Sequence, residues 1–233
     1  MSPSPVTVIL FDIDGTLLDL KGAGRRAFVR AIEAVFGWPD EIGYVNFAGN
    51  TDLNVLAQVM AAHGRELTEA DARRFFEHLP GELERAAAEP GGDRVIYPGV
   101  RALVERLTAR PDVVLALVTG NIEACARLKL RQFDLHNHFV LGAFGNEYAD
   151  RGQIAGLALE RALATLPAGQ PIRARYLVGD TPFDIAAAKS IEAVAIAVAT
   201  GKFTVAELRA AGADHVLSNL GDTAQVLRLL GLG

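Results

Sequence analysis

At 233 residues, half of them hydrophobic, the chain suits one large domain or a domain carrying an insertion, and it holds too much apolar material for disorder. Lys+Arg number 23 against 28 Asp+Glu, a formal charge of −5, which argues against nucleic acid or an anionic membrane as the main partner. A single cysteine, Cys125, excludes an intramolecular disulfide and fits a reducing compartment. The first five residues show no basic segment leading into an apolar one, so no signal peptide is expected. Apolar runs such as 193–199 fall far short of the roughly 20 residues of a membrane span, and a soluble, cytoplasmic protein is expected.

The first predicted element is the strand Val6–Phe11, a continuous apolar run of the kind buried on both faces. It runs into Asp12-Ile13-Asp14-Gly15-Thr16. Asp is a poor strand residue, and two carboxylates spaced i, i+2 repel unless a cation or a shared proton compensates. Gly15 permits a turn that other residues resist. An acidic surface turn after a strand accounts for the same residues, so this stretch alone leaves both readings open.

From 24 to 36 the pattern turns helical, with Ala27, Phe28, Ala31, Ile32, Val35 and Phe36 on one face and Gly37-Trp38-Pro39 as the stop. A loop leads to a helix over 53–63 that Thr51 or Asp52 can cap, and Thr68 caps a third over Glu69–Ala88, which Pro80-Gly81 is expected to break or kink. No strand is predicted between about 17 and 90, and Glu89-Pro90-Gly91-Gly92-Asp93 reads as a linker. The stretch is therefore predicted to be an all-helical insertion over 18–92, with the remaining domain formed by 1–17 and 93–233.

Beyond it, helices are predicted over 100–109, 122–131, 153–165, 182–189 and 205–211. Between them lie strands at Val113–Val118, 138–141, 176–178, Val194–Val198 and His215–Leu217. This alternation implies an α/β fold with a doubly wound, mainly parallel sheet. Ligands of such sheets bind outside the carboxyl ends of the strands. Three strands end in polar residues, Asp12/Asp14, Thr119 and Asp180, and would converge on one crevice if they were neighbours. Thr119 offers a hydroxyl, and the N–H groups of Gly120 and Asn121 at a helix start suit an anion; an ordinary helix cap uses the same residues. Thr181 can cap a helix with Pro182 at its first position and Asp184 one turn on, where Asp184 either joins Asp180 or merely complements the helix terminus. Oxygen ligands without His or Cys favour Mg²⁺ over zinc.

These motifs, in order and spacing, make the chain similar to the haloacid dehalogenase-like superfamily of phosphohydrolases, in particular to its phosphoglycolate phosphatase-like branch with a helical cap. Phe11-Asp12-Ile13-Asp14-Gly15-Thr16-Leu17-Leu18-Asp19 resembles the first motif, Val118-Thr119-Gly120-Asn121 the second, and Val178-Gly179-Asp180-Thr181-Pro182-Phe183-Asp184 the fourth. The third departs from the family pattern. The only lysine between Thr119 and Asp180 is Lys129, inside the helix after the second motif. Arg151 is the expected substitute, since arginine keeps the charge and offers a planar fork; Arg161 is its rival, and a surface arginine the plain alternative.

The resemblance implies a Rossmann-like core and a phosphatase acting on a small phosphorylated metabolite. Asp12 would be the nucleophile that forms an aspartyl-phosphate, and Asp14 the proton donor and acceptor, a role that calls for burial. It implies Mg²⁺ held by Asp12, Asp180 and the backbone carbonyl of Asp14, with Asp184 in support, and phosphoryl oxygens bound by Thr119 and Arg151. Gly49-Asn50-Thr51-Asp52 resembles the cap loop that faces substrate, so Asn50 or Asp52 is a candidate for reading the leaving group, while a plain helix start explains them equally. A sugar-phosphate mutase of the same fold, a haloacid dehalogenase, and a non-enzymatic receiver-like domain are the alternatives; Asp14 counts against the second and the helical insertion against the third. A monomer or homodimer is expected.

Overall fold

The computed structural model describes residues 4–89 and 94–233. Most of the expected linker, and with it the expected boundary at 92/93, lies outside the described residues, as do residues 1–3 of the chain start. Six strands form a parallel sheet: β1 (Val6–Phe11), β4 (Val113–Val118), β5 (Leu141–Ala143), β6 (Ile172–Gly179), β7 (Val194–Val198) and β8 (His215–Leu217), in the order β5-β4-β1-β6-β7-β8. β1 thus lies between β4 and β6. Phe11 pairs in register with both Leu117 and Val178, so the chain leaves all three strands at the same edge, and the condition for a shared crevice is met.

The strands are apolar on both sides because both sides are covered. Ile9, Phe11, Leu115, Leu117, Tyr176 and Val178 face one cluster, while Val8, Leu10, Ala116, Val118 and Leu177 face the other. The second face is covered by α6 (Arg151–Ala164), α7 (Pro182–Ser190) and α8 (Val205–Ala210), largely through alanines such as Ala155, Ala158, Ala187 and Ala188, whose small size lets helices approach closely. The first face carries α4 (Val100–Thr108), α5 (Glu123–Arg131) and α9 (Thr223–Leu229), and here the apolar cluster does not stop at the core.

It continues into the three helices of the insertion, α1 (Ala23–Phe36), α2 (Asp52–Ala62) and α3 (Glu69–Ala88). Phe28 of α1 packs on Phe75 of α3 at 4.6 Å between ring centroids and edge-on against Phe47 at 5.5 Å, contacts worth more than their buried area alone. Thr51 and Thr68 cap α2 and α3, each accepting from a backbone N–H three residues on.

Several details differ from the sequence-based expectation. α3 runs unbroken through Pro80: Leu79 and Leu83 on either side are both buried in the cluster, so packing carries the helix across the hydrogen bond that proline cannot make. A short antiparallel pair joins β2 (Leu18–Asp19) to β3 (Val95–Ile96) where the insertion leaves and rejoins the core; two-residue strands are too short to show a period. The strand expected at 138–141 is a 3₁₀ turn at His136–His138, followed by β5 at Leu141–Ala143, which pairs with the end of β4. α6 begins two residues early, at Arg151, because Asp150 caps it by accepting from Gln153 N–H. α9, capped by Asp222, was not expected.

Because one cluster spans core and insertion, the two should unfold together. Phe75→Ala should cost about 3–5 kcal/mol. The urea transition followed by Trp38, the sole tryptophan and a residue of the insertion stacked on His63, should coincide with that followed by far-UV circular dichroism. An early, separate Trp38 transition would show the insertion to be an independent unit.

Candidate active site

β1 extends its ladder by one bond, from Asp12 N–H to Val178 O at 2.9 Å, which plants Asp12 at the tip of the central strand. Beyond β6, Thr181 and Asp184 form a capping box at the start of α7: Thr181 Oγ1 accepts from Asp184 N–H at 3.2 Å, and Asp184 Oδ2 accepts from Thr181 N–H at 3.0 Å and Oγ1–H at 2.7 Å. That leaves Asp184 Oδ1 for another partner, and Arg151, the first residue of α6, supplies it. Its Nε donates to Asp184 Oδ1 at 2.9 Å, and its Nη2 lies 2.7 Å from both Asp184 Oδ1 and Asp12 Oδ1. The carboxylate oxygens of Asp12, Asp180 and Asp184 come within 4.8 Å of one another, all three residues buried. Asp180 sits between two glycines; a Cβ on Gly15, which adopts φ 81°, or on Gly201 would run into its carboxylate.

Three carboxylates face one guanidinium. Burial pushes the Asp12 carboxyl up to about 7 against the pull of Arg151, with Asp184 and Asp14 adding to the rise. Burial pushes Asp180 up to about 9, reinforced by Asp12 and Asp184. For Arg151 burial works against the charge, yet the two carboxylates outweigh it and hold the guanidinium above its already high range. Asp180 is only 4% exposed, has no ion pair among the described residues, and accepts only a long 3.3 Å bond from Thr16 Oγ1. A buried carboxylate so placed is under-compensated, and a hard divalent cation among three carboxylates fits that deficit.

The second strand end is built differently. Thr119 Oγ1, fully buried, accepts from the side-chain Nδ2 of Asn121 at 2.8 Å and from its backbone N–H at 3.3 Å. Of the two N–H groups expected to face an anion, that of Asn121 is therefore already engaged. Gly120 is required for a close approach: its carbonyl accepts from Asp52 N–H at 2.7 Å, and a Cβ would strike the backbone of Asn50.

Asp14 lies apart from the three-carboxylate cluster. It is half-exposed, not buried as its implied role suggested, and its carboxylate receives Lys129 Nζ at 2.7 and 2.8 Å and Asn121 Nδ2 at 2.6 Å. Lys129 was passed over at the level of sequence; it is buried, and the Asp14 carboxylate, outweighing the cost of burial, keeps it above its usual range. Asn50 lines the cavity, but its amide is committed to its own loop, donating to Asn46 O and accepting from Thr51 N–H and Asn54 Nδ2. The Asp52 side chain reaches the core: its Oδ2 accepts from Ile122 N–H at 2.8 Å, and burial pushes its carboxyl up to about 6. Arg161, the rival to Arg151, has other partners. It pairs with Glu147 at 2.6 Å and donates to Gly142 O.

Asp12, Asp14, Thr119, Lys129, Arg151 and Asp180 border one cavity of about 510 Å³, with Asp184 behind them. Its floor is the charged strand ends, and its other walls include Phe28, Phe47, Leu79 and Leu83 of the insertion.

A parallel sheet with its polar groups at the carboxyl ends of central strands, beneath helices, defines an α/β enzyme whose site lies at a topological switch point. The particular family follows: residues 9–189 match the model of the haloacid dehalogenase-like hydrolases, and the chain belongs to that family. It is 29% identical to a phosphoglycolate phosphatase of Mesorhizobium japonicum over 203 residues, 83% of each chain. It is 28% identical to one of Rhodospirillum rubrum, covering 92% of this chain and 89% of the relative. The fold matches that of a hydrolase from Pseudomonas syringae with a TM-score of 0.67 at 21% identity, over 96% of this chain and 98% of that one. Among the described residues no helix is long and apolar enough to cross a membrane.

Arg151→Ala leaves Asp12 and Asp184 buried without their shared counter-charge, and in metal-free buffer should lower stability by about 3–5 kcal/mol. Arg161→Ala, at a half-exposed pair, should cost no more than about 1 kcal/mol. Denaturant melts of the two variants check this; equal losses would mean that the carboxylate cluster does not depend on Arg151.

Proposed function

We propose that this hydrolase is a Mg²⁺-dependent phosphatase of small phosphomonoesters, phosphoglycolate-like compounds foremost, that works through an aspartyl-phosphate on Asp12. The observation that carries this reading is the setting of Asp12, buried at the tip of the central strand with one oxygen 2.7 Å from Arg151. The names of the relatives support the substrate class, and a cavity of about 510 Å³ suits a small metabolite.

Asp12 and Asp180, with the backbone carbonyl of Asp14, would hold Mg²⁺, and Asp184, anchored by its capping box and Arg151, would keep the cluster in place. When bound, the metal supplies positive charge to a site where nucleophile and phosphoryl group are both anionic. Arg151 and the Thr119 hydroxyl bind the phosphoryl oxygens. Asp12 Oδ1 is paired with Arg151, and the other carboxylate oxygen attacks phosphorus; the bond to the leaving oxygen breaks, and that oxygen takes a proton from Asp14. Water then attacks the phosphorus of the aspartyl-phosphate while Asp14 takes its proton, which releases phosphate and restores the Asp12 carboxylate. Residues 18–92 act as a cap that excludes bulk water from these steps.

Phosphate release from p-nitrophenyl phosphate should require Mg²⁺ and cease on chelation, and Asp12→Asn should give none above the blank. Turnover of Asp12→Asn within about tenfold of wild type would remove the covalent mechanism. Calorimetric titration with Mg²⁺ tests the metal independently of turnover: Asp180→Ala should lose most of the binding heat, and an unchanged isotherm would show that the carboxylates have been misread.

A further inference from the structure

Lys129 has no part in the reaction just described, yet its ammonium is buried beside Asp14. Its side chain is 7% exposed, and Nζ donates to Asp14 Oδ1 at 2.8 Å, Asp14 Oδ2 at 2.7 Å and Asn121 Oδ1 at 2.6 Å. An ammonium has three N–H donors. All three are spent on protein, so Lys129 has none to offer a substrate, and what it does must pass through the groups it holds.

Asn121 is the informative one. Its amide can sit either way round, but only the oxygen can face an ammonium; the reverse would set donor against donor. With Oδ1 fixed on Lys129, Nδ2 is turned to Asp14 Oδ2 at 2.6 Å and to Thr119 Oγ1 at 2.8 Å. Thr119 Oγ1 also accepts the Asn121 backbone N–H. A hydroxyl has two lone pairs and one proton. With both lone pairs occupied, the proton is the part of Thr119 left to give, in a residue that lines the same cavity as Asp12. One buried cation thereby sets the direction of the Thr119 donor and the place of the Asp14 carboxylate, which belong to different strand ends.

We propose that Lys129 is a positioning residue for phosphoryl transfer: through Asn121 it aims the Thr119 hydroxyl as a donor at the phosphoryl group, and directly it fixes Asp14 beside the leaving oxygen. This rests on the phosphatase reading above.

The test compares two leaving groups, because kcat/KM reports the steps up to leaving-group departure. The phenolate of p-nitrophenyl phosphate departs without a proton, whereas the alkoxide of an alkyl phosphomonoester such as 2-phosphoglycolate needs one. Lys129→Met keeps the stem and removes the charge. It should lower kcat/KM for the alkyl ester by about 100-fold, and that for the aryl ester by about tenfold or less, since positioned proton transfer contributes on the order of 10²–10⁴. Asn121→Ala should show the same bias, and the double variant should be little worse than the poorer single one, as expected for residues that act as one unit. Equal losses on both esters, as from general loosening, or losses that multiply in the double variant would overturn the positioning role. Asn121 is half-exposed, so its variant decides the matter if Lys129→Met fails to fold. Asp12→Asn separates the two readings: an inactive wild type, or an active Asp12→Asn, overturns both, while an unbiased Lys129→Met alongside a dead Asp12→Asn overturns only the role of Lys129.

Discussion

The site depends on one guanidinium. Three buried carboxylates within 4.8 Å of one another would repel severely without compensation, and Arg151 answers two of them with a single nitrogen that lies 2.7 Å from Asp12 and 2.7 Å from Asp184. Lysine is a point charge on a flexible stem, whereas the planar fork of arginine pairs two acceptors while Nε makes a third contact at 2.9 Å. Its position is set by the start of a helix. Asp150 caps α6, which makes Arg151 the first helical residue and leaves its long side chain buried at the strand ends. The rest of the core serves the same geometry, because the register that levels Phe11 with Leu117 and Val178 also brings Asp12, Thr119 and Asp180 to one edge.

The insertion is tied to that edge by its backbone as well as by its apolar face. At the start of α2, Asp52 N–H donates to Gly120 O and Leu53 N–H to Gly145 O, while Thr51 Oγ1–H donates to Ala149 O at 3.0 Å. Ile122 N–H returns a bond to Asp52 Oδ2. The first α2 turn, whose N–H groups have no partner within the helix, is thus satisfied by the two core loops that carry Thr119 and lead to Arg151. Glycine at 120 makes the approach possible, since a Cβ there would meet the backbone of Asn50, and glycine at 145 lets the two core loops close on each other, since a Cβ there would strike the Gly120 carbonyl. Movement of α2 would therefore be felt first at the loops that carry Thr119 and lead to Arg151.

Much of this was legible in the chain. Val6–Phe11, Val113–Val118, Val194–Val198 and His215–Leu217 are strands where apolar runs put them, because strands buried on both faces announce themselves by composition. The carboxylates stood out for the converse reason: Asp at the end of such a run is a cost that needs a purpose. Arg151 was legible only as a charge in the right segment; its two partners emerge once α6 and α7 are packed side by side. Lys129 was not legible. On α5 it looks like any polar helix residue, and its partner Asp14 is 115 positions away, a pairing that the sheet creates and no local pattern signals. Asn50 is the opposite case: in a suggestive loop and on the cavity wall, it uses its side chain to hold that loop.

The claim on which the account turns is that Asp12, and not the neighbouring Asp14, takes the phosphoryl group. Quenching the enzyme in acid during turnover and reducing it with borohydride converts an aspartyl-phosphate to homoserine, and peptide mapping locates the product. Homoserine at position 12 alone is the expected result. Homoserine at position 14, or none at any position under conditions of active phosphate release, would contradict the assignment of the nucleophile.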